Sequence, residues 1–175
     1  MKRFLKMFVV MIAVCAITMA TGCGQKREKV KFTGEEGTIT FSVKSGNKYK
    51  ISTDKKDLRT SREQGTFVGD NFKIGIEFND DFGYFFNGDF NKLKDARKDY
   101  DEYKEVTYSG IKGIQYFYSG YMCYEILLPI EGSKEYYLDL AVYGKEDNEK
   151  SAKEAINSKE VQDVLNNITA IKAKK

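Results

Sequence analysis

The chain of 175 residues contains no histidine, no tryptophan, one proline and three cysteines. Without histidine there is no imidazole to activate a serine or cysteine nucleophile, and every zinc site built on histidine is excluded with it. Composition therefore speaks against the familiar triad hydrolases and histidine-ligated metalloenzymes, and the sequence is read as non-catalytic with no cofactor. The cysteines are few and far apart. Cys15 lies inside an N-terminal apolar run, Cys23 stands just beyond it, and Cys123 sits in YMCYEILLPI. In such apolar surroundings Cys123 is expected to be a buried, inert thiol. A strong net charge is missing as well. Lys2, Arg3 and Lys6 are the only charges before residue 23; 29 basic side chains less those three leaves 26, equal to the 26 acidic ones. The basic footprint of a nucleic-acid binder is absent.

What the N-terminus does have is the three-part pattern of an export signal. The basic residues are followed by an uninterrupted apolar stretch at residues 7–18, MFVVMIAVCAIT, and then by small residues. A spanning helix needs about 20 apolar residues, and Thr21, Gly22, Gly24 and Gln25 cut this run short. Residues 1–22 read as a removable signal peptide. Its last residues, Ala20-Thr21-Gly22-Cys23, resemble the bacterial lipobox, with Ala20 where Leu is most frequent. The resemblance implies that Cys23 receives a diacylglycerol thioether and becomes the new N-terminus. Each buried methylene of such chains contributes about 0.8 kcal/mol, so two or more hold a protein at a bilayer. The expected location is the extracytoplasmic face of the cell membrane, with Cys23 as lipid anchor.

Residues 23–36 are polar and charged and are expected to be a lipidated flexible tether. Residues 37–175 are expected to form a single antiparallel α+β domain. In GTITFSVKSGNKYKIST, alternation of Ile39, Phe41 and Val43 and then Tyr49 and Ile51 predicts a hairpin. A three-residue Ser45-Gly46-Asn47 loop, with Asn47 left-handed, would pair Val43 with Tyr49 and Phe41 with Ile51. Residues 54–64 read as a solvated loop or short helix. Phe72, Ile74, Ile76 and Phe78 share one strand face with Lys73, Gly75 and Glu77 on the other, and a Gly69-Asp70 turn would set Phe67 opposite Phe72. Asp89 is a candidate N-cap for a helix carrying Phe90, Leu93, Arg97 and Tyr100. Strands are expected at 103–108, 111–118, 121–130 and 135–143, with Asp139 facing away from Leu138, Leu140 and Val142. ILLPI, apolar on both parities, predicts a central strand ending near Pro129. Helical spacing marks 148–157, and Ser158 caps a second helix with Val161, Val164, Leu165 and Ile168 on one stripe.

Three motifs invite chemistry. Ser45-Gly46-Asn47-Lys48 spells S-x-x-K but lies in a turn, without the companion motifs of penicillin-binding enzymes. Asn79-Asp80-Asp81 with Asp89 lacks the spacing of a calcium loop, so no metal site is assigned. FGYFFNGDF gathers Phe82, Tyr84, Phe85 and Phe86, the candidate partner-binding residues. If extended, this segment would bury Phe82, Tyr84 and Phe86 and turn Phe85 outward.

The pattern of YKISTDKKDLRT, EYKEVTYSGIKGIQYFY and YYLDLAVYG followed by SKEVQDVLNNI resembles the Mog1/PsbP-like domains of small bacterial lipoproteins. The resemblance implies an antiparallel sheet packed by helices and a binding or assembly role with a protein partner in the cell envelope. The rival expectation is a receptor for a small ligand, a metal or a sugar, distinguished by a deep pocket with converging polar groups. A cell-wall enzyme is third.

Overall fold

The computed structural model describes residues 26–173; Cys23, Cys15 and the signal stretch lie outside them. Among the described residues ten strands and four short helices follow one another. The strands are β1 (Arg27–Thr33), β2 (Gly37–Lys44), β3 (Lys50–Ser52), β4 (Gly65–Val68), β5 (Phe72–Asn79), β6 (Lys104–Tyr108), β7 (Ile111–Tyr118), β8 (Cys123–Pro129), β9 (Tyr137–Gly144) and β10 (Ile168–Ala173). The helices are α1 (Asp81–Phe86), α2 (Phe90–Arg97), α3 (Glu149–Asn157) and α4 (Lys159–Leu165). All strand pairings are antiparallel, in a three-stranded sheet ordered β1-β2-β10 and a seven-stranded sheet ordered β3-β4-β5-β9-β8-β7-β6.

The main core lies between these sheets. Ile39, Phe41 and Val43 of β2 face Phe67, Ile74, Ile76, Leu138, Leu140 and Val142 of the larger sheet, and α3 and α4 close the remaining apolar surface with Ala152, Ile156, Val161 and Leu165. Side-chain caps start two helices as the sequence indicates, Asp89 accepting from Asn91 N–H and Ser158 from Val161 N–H; Asn148, not foreseen, accepts from Ser151 N–H at the start of α3. The meander β6-β7-β8-β9 forms as expected. Ser109 and Gly110, with φ of 53° and 80°, make its first tight turn. β8 is interior, Pro129 is its last residue, and Cys123 is a buried thiol pushed well above its ordinary pKa by burial.

Several expectations are corrected. Residues 27–33 are a strand, not tether: Val30 and Phe32 enter the core opposite Phe41 and Ile39, and Arg27 bonds Asp163 of α4 at 3.0 Å. The apolar content of this segment is too low to fold alone but suffices at an existing sheet edge. β2 and β3 do not pair; the Ser45–Tyr49 connection carries the chain from one sheet to the other, with Gly46 rather than Asn47 left-handed. Alternation gave both strands their inward faces, and the competing partners β1, β10 and β4 decided the pairing. Phe67 lies opposite Ile74, not Phe72, because the β4-β5 turn is two residues wider on the β5 side; the parity survives. The stripe ending at Ile168 is also split: α4 stops at Leu165, and Ile168 begins β10, opposite Phe41.

FGYFF is helical, not extended. Beyond Asn79, which is paired with Tyr137 at the start of β9, no neighbouring strand remains to satisfy the backbone, so it closes on itself as α1. The Asn79 side chain accepts from Asp81 N–H at 2.9 Å, and left-handed Asn87 and Gly88 turn the chain into α2. The two helices lie on the outer face of the seven-stranded sheet. There Phe82 and Leu93 pack with Ile114, Tyr116, Leu127 and Tyr137 in a second, smaller core.

Candidate functional site

The outer face of the seven-stranded sheet is built from the residues that alternate with the main core. On three adjacent strands, β5, β9 and β8, those positions include Glu77, Asp139 and Glu125. Glu77 and Asp139 are directly cross-strand partners. Two carboxyls so placed repel one another when both are ionised, which favours keeping a proton on the pair. In the adjacent row, Gly75 pairs with Ala141, Ala141 with Glu125, and Glu125 with Tyr116 of β7. The two small residues leave a hollow in the middle of the sheet face.

Chain segments from outside the sheet wall this hollow into a cavity of about 200 Å³. The end of α2 brings Arg97 and, just beyond it, Tyr100; the turn after β7 brings Tyr121; and the 60–63 segment brings Thr60, Arg62 and Glu63. The last is held by local hydrogen bonds. The Thr60 hydroxyl accepts from Glu63 N–H at 3.3 Å, while the Glu63 carboxylate accepts from Arg59 N–H at 2.9 Å and from the Tyr143 hydroxyl at 2.7 Å. Gly75 is required beneath it, since a Cβ there would stand 2.6 Å from the Glu63 carboxyl. The wall on the α1 side is braced by aromatic contacts: Phe82 meets Tyr137 edge-on at 5.9 Å, and the Arg97 guanidinium lies 6.0 Å from the Phe86 ring and 5.7 Å from that of Tyr100.

The electrostatics of the cavity follow from crowding acids in a poorly hydrated place. Burial pushes the Glu77 carboxyl up to about 7, Arg62 opposing and Glu125, Asp81 and Glu63 reinforcing the shift. Burial also raises Glu125, against the downward pull of a hydrogen bond from the Tyr116 hydroxyl and of Arg97 and Arg62. Asp139 is raised well above the carboxylate range by burial, then by Glu125 and Glu77, with Arg97 opposing. Two polar atoms of the lining, Asp139 Oδ1 and Arg97 Nε, are closed off from solvent and have no hydrogen-bond partner among the described residues. Buried polar atoms without partners are rare in folded proteins and each calls for an explanation.

The residues singled out from sequence are dispersed by the helical geometry. Phe82 is core at 2% exposure, Phe86 is half-buried against Arg97, and Tyr84 and Phe85 stand out at 82% and 64% exposure, their rings edge to face at 4.7 Å. Cys23 lies outside the described residues. The cavity carboxylates were visible only as polar members of alternating strands, a pattern ordinarily belonging to a solvated face. Among the described residues no group of three or more acidic or cysteine side chains is close enough to hold a metal ion, and no helix is long and apolar enough to cross a membrane. Comparison with protein-family models, curated proteins and solved structures finds no match to this chain.

Proposed function

We propose that this chain is an extracytoplasmic, lipid-anchored binding protein and that the cavity on the outer sheet face is a receptor site for a small polar ligand. The observation that carries the reading is the convergence of four carboxylates, two guanidiniums and several phenols on one hollow, with two buried polar atoms left unpartnered. A solvated strand face has no need of such an arrangement, whereas a ligand that enters and shifts the lining can supply the missing partners. Helices on both faces of the larger sheet support a Mog1/PsbP-like domain. The absence of histidine supports a binding rather than a catalytic role.

Anchoring at Cys23 fits the position of β1. Only Gly24, Gln25 and Lys26 separate Cys23 from Arg27, so extended chain spans at most about 14 Å between them. The domain would sit close over the headgroups, with the receptor face across the molecule from the sheet that carries the anchor. Cys23→Ser is expected to abolish incorporation of a palmitate analogue and release the protein from membranes; undiminished label on the variant would reject the anchor.

The receptor reading is tested by thermal melting of the full-length protein against sugars, amino acids, amines and organic acids. A saturable upward shift is expected for one class, and Ala141→Leu, which fills the hollow without removing a polar group, should abolish it. No shift with any class would reject the site. A second surface is the Tyr84–Phe85 pair, whose exposed aromatic rings suit contact with a protein partner.

A further inference from the structure

We infer that the cavity, taken as the receptor site just described, binds a primary ammonium group at the end of a short alkyl chain, with Asp139 as its anchor. The first argument is charge. Four carboxylates face two guanidiniums, and each cation is shared: Arg97 acts on Glu125 and Asp139, Arg62 on Glu77 and Glu125. Glu63 is satisfied by the Tyr143 hydroxyl and the Arg59 N–H. Among these carboxylates Asp139 alone has a sealed oxygen with no donor, and the sealed Arg97 Nε likewise has no acceptor.

The second argument is hydrogen-bond chemistry. Burial and its acidic neighbours hold Asp139 toward its protonated form in the empty cavity; once that proton leaves, the ionised carboxylate only accepts, and a positively charged N–H donor supplies both the partner and the compensating charge. An anionic ligand would add to the repulsion. A metal ion needs its ligands gathered around one point, and the cavity's acids do not gather so. A neutral sugar brings donors but leaves the charge uncompensated. The third argument is shape. The Tyr116 and Tyr137 side chains line the hollow and offer an aromatic wall to methylenes. About 200 Å³ is the room of roughly six or seven waters, enough for an amine of four or five carbons.

Ammonium binding should expel protons from this site. Asp139 is faced by Glu77 of β5, Glu125 of β8, Arg97 of α2, Glu63 of the 60–63 segment and the Tyr116 and Tyr137 hydroxyls of β7 and β9. Glu77 is faced also by Arg62 and Asp81. With the acids held partly protonated when the cavity is empty, affinity for an ammonium rises as pH rises through neutrality, whereas a neutral ligand gains little.

The test is calorimetric titration of the full-length protein in detergent with n-butylamine, tetramethylammonium, sodium butyrate and glucose, near pH 6 and near pH 8. Saturable binding of n-butylamine is expected, tighter near pH 8, with no binding of tetramethylammonium, which has no N–H, or of butyrate. Asp139→Asn should weaken n-butylamine by roughly tenfold or more while retaining a cooperative melt. Should that variant not fold, Glu77→Gln is the substitute and should weaken binding and flatten its pH dependence. Glucose or butyrate binding without n-butylamine would overturn the ammonium assignment and leave the receptor reading standing. Binding of n-butylamine indifferent to both substitutions, or no n-butylamine binding at all, would also overturn it; only failure of the wider ligand panel removes the receptor site itself.

Discussion

The two faces of the seven-stranded sheet are made by the same strands and obey different rules. On the inner face Ile74, Ile76, Ile126, Leu138, Leu140 and Val142 are buried against the small sheet and the C-terminal helices. On the outer face the alternate positions place Glu77 opposite Asp139 and gather phenols and arginines around a hollow. The inner face follows apolar burial and supplies stability. The outer face sets carboxyls side by side, with raised pKa values, and leaves polar atoms unpartnered, which costs stability.

The contrast can be broken most forcefully from the inner side. Leu140, fully buried between Ile76 and Ile126, is expected to cost about 2–5 kcal/mol as Leu140→Ala, read as a lower denaturant midpoint. A midpoint equal to that of the unmodified protein would mean that this face is not the seat of stability.

On the outer face a substitution should act in the opposite direction. The folded-state pKa of Glu77 is raised, to about 7 from an ordinary 4.5, so its proton is bound more tightly in the folded than in the unfolded chain. Its contribution is fully present below about 4.5 and is lost as pH rises through 7. Glu77→Gln removes that loss. The variant is expected to be more stable than the unmodified protein near pH 8 by about 1–3 kcal/mol, with little difference near pH 4. Denaturation at the two pH values checks this, and a variant less stable near pH 8 would show that burial does not penalise the ionised Glu77 carboxyl.

The smallest effect belongs to Phe85, which touches neither core. Phe85→Ala should shift stability by less than about 0.5 kcal/mol while reducing capture of any protein partner severalfold. Loss of stability with capture unchanged would return Phe85 to a folding role and leave Tyr84 without an interface.

Much of the inner face was legible because burial imposes a period of two, which Phe72-Ile74-Ile76-Phe78 and Leu138-Leu140-Val142 display openly. The caps at Asp89 and Ser158 were legible because capping is chemistry between residues two or three apart. Pairing partners were not. β2 and β3 looked like a hairpin, and only the competition of β1, β4 and β10 for their edges separated them. The aromatic segment misled for a related reason: residues 82–86 coil because β9 begins opposite Asn79, a fact of the sheet rather than of the segment.

By itself the sequence determined the antiparallel α+β character, the inward faces of most strands, the inertness of Cys123, the exclusion of histidine chemistry and the expectation of a lipid anchor at Cys23. These depend on composition and on neighbours within a few positions. Only the tertiary structure decided that Glu77, Asp139 and Glu125 belong together, since they are brought side by side by the strand order β5-β9-β8 from places far apart in the chain. It also decided that the outer face is walled by Arg97, Tyr100 and the 60–63 segment rather than open to water. A carboxylate on an alternating strand reads the same in either setting; what changes its chemistry is the loss of water around it, and that is decided by what packs above the sheet.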